Sequence, residues 1–218
     1  MQFCKTALIA FLLVVMSNPS FGQDIELSFY TGFQSSPHSS VEFDDGAGGG
    51  FDFTAGWEGH SLEPPPYYGL RGMFWLESGW GFGAEFTHAK VYGDEETLSA
   101  TGFTTLEFTD GINILTANAF YRWDRPRSKW TPYAGAGLGI SIPHVEVEGN
   151  GVSALGYQVT GPAVRLVGGI SYDINDQWGA FTEYNGTYSM NDVDLGGGAT
   201  MQTNIITNAL NVGLTYSY

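Results

Sequence analysis

The sequence predicts an all-β chain folded as an eight-stranded antiparallel transmembrane β-barrel with both termini periplasmic. Three observations carry that prediction. Apolar and polar side chains alternate in stretches of about ten residues, the weak per-strand signal of a membrane barrel. Short turns and long loops alternate along the chain. The last residues, Leu210, Val212, Leu214, Tyr216 and Tyr218, are apolar at every second position and end in an aromatic ring.

Residues 1–22 have the three parts of a secretory signal. Lys5 supplies the positive charge, Ala7 to Met16 the apolar run, and Ser20-Phe21-Gly22 the small residues before Gln23. The run is too short to span a bilayer as a helix. Residues 23–218 are expected to form one barrel domain. The expected strands are 25–34, 67–76, 80–92, 111–123, 131–147, 161–174, 178–191 and 204–218. Glu77-Ser78-Gly79, Asp124 to Trp130 and Asn175-Asp176-Gln177 are short and rich in turn formers. Residues 35–66, 93–110, 148–160 and 192–203 are longer and hold most of the Gly and acid, as extracellular loops do. The first loop, 35–66, is too long for a mere connector. The final strand looks like the terminal strand that outer-membrane assembly machinery recognises, which makes that machinery an expected partner.

Composition narrows the function. The chain has 8 Lys+Arg and 23 Asp+Glu, a formal charge of −15, and −16 once Lys5 leaves with the leader. Such a chain will not seek nucleic acid. It can approach lipopolysaccharide through bridging divalent cations or its few Lys and Arg. The one cysteine, Cys4, lies in the leader, so the mature chain has no disulfide and no thiolate nucleophile. Parity puts Glu26, Arg71, Glu85, Arg122, Arg165 and Glu183 on the face opposite the apolar one. An eight-stranded lumen is just wide enough for side chains, and three carboxylates against three guanidiniums predict paired charges rather than a pore.

No soluble-enzyme motif is present, so any chemistry must sit at the outer rim. All four histidines fall there: His38 and His60 in the first loop, His88 and His144 at strand tops. Glu58 and Glu63 flank His60, and Glu146 and Glu148 follow His144. Histidine with carboxylate suits a divalent metal such as Zn, Mn or Fe. Solvated, unrelated side chains fit the same spacing. His88 and His144 share the parity of the lipid-facing residues. His88 stands eight residues above Trp80, roughly 20 Å up a strand tilted about 40°, the height of outer-leaflet headgroups. Asn113 of the intervening strand shares that face. Pro143 is a point where a bulge would reverse His144.

Leu27 to Ser39, Gly56 to Arg71, Gly81 to Tyr92 and Leu106 to Ala119 resemble the outer-membrane lipid A oxidases. So do Thr131 to Glu148, Gly186 to Leu195 and Thr207 to Tyr218. The resemblance covers nearly the whole mature chain and is dense in the outer loops, where a generic barrel likeness would fade. It departs in the extra Gly and acid of Asp44 to Gly50. It implies an oxygen-dependent oxidation of the proximal glucosamine of 1-dephosphorylated lipid A to 2-aminogluconate, with molecular oxygen as electron acceptor. It carries over no catalytic residues. Because closed-shell side chains pass electrons to triplet oxygen poorly, a metal is expected whose ligands are among His38, His60, His88 and His144, with Glu58 or Glu63. Glu146 or Asp110 is expected to take the C1-hydroxyl proton. Two rivals stand beside this reading. One is a non-catalytic barrel for adhesion or envelope stability. The other is a lipid A deacylase using Ser36 or Ser39 beside His38.

Overall fold

Backbone groups inside a bilayer have no water to bond, so strands that cross it must close on themselves. The chain does this. The computed structural model describes residues 24–124 and 127–218; the expected leader, residues 1–22, lies outside them. In chain order the elements are β1 (Asp24–Ser35), β2 (Ser39–Asp44), β3 (Gly50–Ala55), β4 (Trp57–Glu58), β5 (Tyr68–Trp75) and β6 (Trp80–Gly93). There follow α1 (Glu95–Thr101), β7 (Phe103–Arg122), β8 (Trp130–Gly149), β9 (Val152–Tyr157), β10 (Gly161–Asp173), β11 (Trp178–Gly196) and β12 (Ala199–Ser217). Eight of these strands, β1-β5-β6-β7-β8-β10-β11-β12, form an antiparallel ring that the β1–β12 pairing closes. The seam runs from Glu26 opposite Ser217 to Ser35 opposite Asn208. Tyr218 N–H adds a bond to the Ile25 carbonyl, so both ends of the described chain lie at the short-turn end.

All eight expected strands are present, and four run two or more residues past their expected ends toward the long loops. β7 and β12 begin earlier, and β8 and β11 end later, so the long loops are largely sheet that continues above the barrel wall. The first loop is not open coil either. β2 pairs with the top of β12, β3 pairs with β2, and β4 pairs with the top of β6. α1 starts at Asp94, whose side chain accepts from Thr97 N–H, and stops at Gly102, whose φ of 80° an L side chain resists.

In the lower lumen the expected ion pairs form. Arg71 meets Glu85 at 2.7 Å and Glu183 at 2.6 Å; Arg165 pairs with Glu85 and lies 3.7 Å from Glu183. The Tyr30 hydroxyl donates to Glu85, the Tyr133 hydroxyl to Glu183 at 2.7 Å and the Asn211 amide to Glu183 at 3.0 Å. The third pair, Arg122 and Glu26 at 3.4 Å, sits nearer the short turns. Charge-assisted bonds of this kind offset the desolvation of four buried ions. A lumen so filled leaves no aqueous channel at this level.

Outside the same level, Leu138, Leu166, Leu210 and Phe33 are each more than 60% exposed. In water that face would be an aggregation site; in hydrocarbon it is the lipid belt of a barrel.

Candidate functional site

The outer wall changes character at one height. On β6, Trp80, Phe82 and Phe86 face out, then His88, Lys90 and Tyr92 in the same parity. On β8 the outward series is Leu138, Ile140, Ile142, His144, Glu146 and Glu148. His144 stays on the outer face, since β7 and β8 pair in register through Pro143 and β9 continues with Tyr157 opposite His144.

β-sheet register builds two polar rows above the belt. The lower places Tyr68 opposite His88, His88 opposite Asn113 and Asn113 opposite Ile142. The upper runs Glu58, Tyr92, Glu107, Glu146 and Leu155 across β4, β6, β7, β8 and β9. Between the rows β7 carries a bulge, marked by register shifts between Glu107 and Ile112. Gly111 lies in it with φ of 87°, and a Cβ there would meet Nδ1 of His88 at 2.6 Å. Glycine is needed twice over, for the left-handed backbone and for the histidine ring lying against it.

Residues 59–66 fold down over this wall. Lys90, only 2% exposed although it points outward, donates to the carbonyls of Glu63 at 3.0 Å and Pro64 at 3.4 Å, and its ammonium sits 5.4 Å from the Tyr92 ring. His60 stacks on Tyr92 with centroids 4.7 Å apart. Its backbone is left-handed, φ 34°, an unusual state for a non-glycine residue. Its Nε2 lies 2.8 Å from Glu58 and its Nδ1 3.0 Å from Glu63. Carboxylates accept, so an imidazolium with both ring nitrogens donating satisfies both contacts. The Glu58 hydrogen bond, with Glu63 behind it, accordingly raises the His60 pKa above its usual value. Partial burial, then the like charge of Glu146 across the strands, pushes the Glu107 carboxyl up.

Below the fold-over lies a groove of about 450 Å³ lined by Pro65, Tyr68, Phe86, His88, Asn113, Ile142 and Tyr157. His88 is 4% exposed; its Nδ1 lies 2.9 Å from Asn113 Oδ1 and its ring stacks on Tyr68 at 5.2 Å. The groove is apolar toward the belt and polar toward the rows above.

The expected site residues thus divide. His60, Glu58 and Glu63 come together. His88 sits one row lower with Asn113, and His144 packs edge-on against Tyr157 at 4.7 Å. His38 is exposed and lies by Asp94, whose carboxyl is held low by hydrogen bonds from Thr97 and less by His38. Glu146 faces Glu107. Asp110 lies in β7, but its side chain is outside the described residues. Among the described residues no three His, Asp or Glu side chains converge to hold a metal ion. The nearest approach, His60 with its two carboxylates, places them on opposite ring nitrogens, so the set does not fit a metal centre as it stands. Ser39 accepts from the Trp57 indole at 2.8 Å and shares a hydrogen bond with Thr203 at 3.0 Å, and Ser36 is buried. The described hydrogen bonds therefore include no Ser-His38 pair. Lys90, Tyr92, Glu107 and Tyr157 escaped sequence reading. Lys90 and Tyr92 lay within an expected strand, in the parity of His88, and that signal was available. Glu107 was hidden because its segment read as loop, where parity has no meaning.

No protein-family model matches the sequence, and no curated relative does. Solved structures do. Neisserial surface protein A matches with 13% identity and a TM-score of 0.53, over 92% of this chain and all of that one. The outer membrane protein AlkL, solved in DMPC lipid bilayers, matches with 16% identity and a TM-score of 0.51, over 93% of each chain. At such identities the likeness is one of fold: this chain has the architecture of a small outer-membrane β-barrel.

Proposed function

We propose that the chain works in the outer membrane of a Gram-negative bacterium, on the headgroup of lipid A. In this reading it oxidises the proximal glucosamine of 1-dephosphorylated lipid A to 2-aminogluconate. The observation that carries the reading is the placement of His60, His88, His144, Lys90, Glu107 and Glu146 on the lipid-facing side of the wall, directly above the apolar belt. Groups meant for a solute in the lumen would point inward; these face the layer where sugar headgroups lie. The resemblance in the outer loops supports the specific reaction. The geometry by itself supports headgroup binding.

Net oxidation removes the C1–H and the C1-hydroxyl proton, and two electrons pass to molecular oxygen. The resulting lactone takes up water to give the carboxylate, a gain of one oxygen atom. No step is assigned to a metal.

Mass spectrometry of lipid A from cells with and without the gene tests the proposal. Gain of one oxygen on the 1-dephosphorylated species, abolished anaerobically, is expected. Unchanged lipid A would leave a non-catalytic barrel, and loss of an acyl chain would mean a deacylase. A chelator arm reports whether a metal joins the site.

A further inference from the structure

Resting on that reading, we propose that the outer face of β9 is a rail for one acyl chain of the substrate lipid, which climbs it out of the leaflet and carries its sugar toward Glu107 and Glu146.

β9 forms where the third long loop turns back along the top of β8, and it stands outside the eight-stranded ring. Its inner face, Val152 and Ala154, packs on the apolar cluster that holds Val145 and Val147. Its outer face is Leu155 and Tyr157, with Val159 just beyond. These three are 72%, 61% and 67% exposed. Strands that are apolar on both faces are those buried on both faces. In water, three neighbouring apolar side chains this open would be a sticking point.

Register shows where the face leads. Leu155 lies opposite Glu146, and Tyr157 opposite His144. Gln158 N–H bonds to the Pro143 carbonyl and Thr160 N–H to that of Ser141, both at 3.1 Å, which sets Val159 beside Ile142. Below Val159 the outward series continues through Val164 and Leu166 of β10 into the lipid belt. Where β8 turns polar at His144, the strand beside it stays apolar up to Leu155. From Val159 to Leu155 is roughly 13 Å of strand. The belt thus has one narrow upward extension, beside the groove that Tyr157 and Ile142 line.

The flanks choose the occupant. Glu146 stands on one side. On the other, Asp192 and Asp194 are exposed on β11, and the Asp194 backbone exchanges bonds of 2.8 and 3.0 Å with the Gln158 amide. A second copy meeting this face about a two-fold axis would set carboxylates against carboxylates. A hydrocarbon chain carries no charge and already lies against the belt below. It reaches the rail without leaving its own phase, and covering the three side chains drives the climb. A polyacylated glucosamine lipid held this way presents its sugar at the upper row, where Glu107 faces Glu146.

Two measurements test this. The one cysteine, Cys4, lies in the expected leader, so a nitroxide on Leu155→Cys reports one place. In phosphatidylcholine vesicles carrying 1-dephosphorylated lipid A, that probe should be relaxed by oxygen and shielded from a nickel chelate, as a probe on Leu138→Cys is. A probe on Asp194→Cys should show the reverse. A Leu155 probe as open to nickel as the Asp194 probe overturns the proposal. Kinetics should show the double variant Leu155→Gln, Val159→Gln raising KM for 1-dephosphorylated lipid A about tenfold with kcat unchanged, and its barrel should keep its normal heat-dependent gel shift. An unchanged KM, or a loss confined to kcat, also overturns it. No conversion by the unmodified chain sinks the oxidase reading, and the nitroxide then decides the rail by itself.

Discussion

β11 shows two environments within one strand. From Thr182 to Met190 it turns Tyr184, Tyr188 and Met190 outward and Glu183, Asn185, Thr187 and Ser189 inward. Above Asn191 the faces trade places: Asp192 and Asp194 are exposed, and Val193 and Leu195 are buried. The change is general. In the lower half the interior is the Arg71–Glu85–Arg165–Glu183 box, set among aromatic rings such as Tyr30, Phe120 and Phe181. In the upper half it is an apolar cluster including Val41, Phe103, Leu106, Phe108, Ile112, Val147 and Met201. The backbone does not distinguish them; the solvent does. Where the outside is hydrocarbon the polar groups must go in, and where the outside is water the apolar ones must. The groups assigned to the proposed function stand at that boundary, where an outward polar side chain meets both phases.

The largest effect expected to break this contrast is in the box. Arg71→Met strands two buried carboxylates with one guanidinium and should cost about 3–5 kcal/mol, read as a lower midpoint of urea unfolding in lipid vesicles. Next, an outward charge should matter only below the boundary. Leu138→Arg should destabilise by about 2–4 kcal/mol, whereas Glu146→Arg, on the same face of the same strand, should leave unfolding unchanged. Equal effects would erase the boundary. Leu106→Ala, in the upper core, should cost about 2–3 kcal/mol and loosen amide protection in 95–108 while leaving the lower strands protected. Asp94→Ala removes the α1 cap and should cost about 1 kcal/mol, visible as faster exchange of Thr97 and Leu98.

The smallest effect sharpens the comparison at the boundary itself. His60 has a raised pKa in the folded chain, so its pairs with Glu58 and Glu63 contribute below its ordinary pKa, 6.5, and fade as pH rises through the raised value. Amide exchange over 59–63 should therefore speed up on going alkaline through that window, beyond the intrinsic rate. His60→Gln should be fast throughout and lack the step.

Much of the lower half was legible because its chemistry repeats every second residue. Glu26, Arg71, Glu85, Arg122, Arg165 and Glu183 were placed inside by parity alone, and their balance of charge foretold the pairing. The upper half was opaque for the converse reason. There apolar residues turn inward, so Phe103, Leu106 and Phe108 read as a loop when compared with a lipid-facing pattern. The bulge before Ile112 also interrupts the count. Of the site, the shared face of His88, Asn113 and His144 was readable. The descent of 59–66 onto Lys90 and Tyr92 was not, since nothing local tells a loop which neighbour it will cover.

By itself, then, the sequence determined the eight crossings, the closed ring and the inward ion pairs, because alternation against two unlike media is a local property of each strand. Only the tertiary structure decided that β2 caps β12, that Glu107 opposes Glu146 and that His60 acquires two carboxylates. Those depend on register between distant strands and on where a long loop comes to rest, and residue pairs so far apart in the chain leave no periodic trace in it.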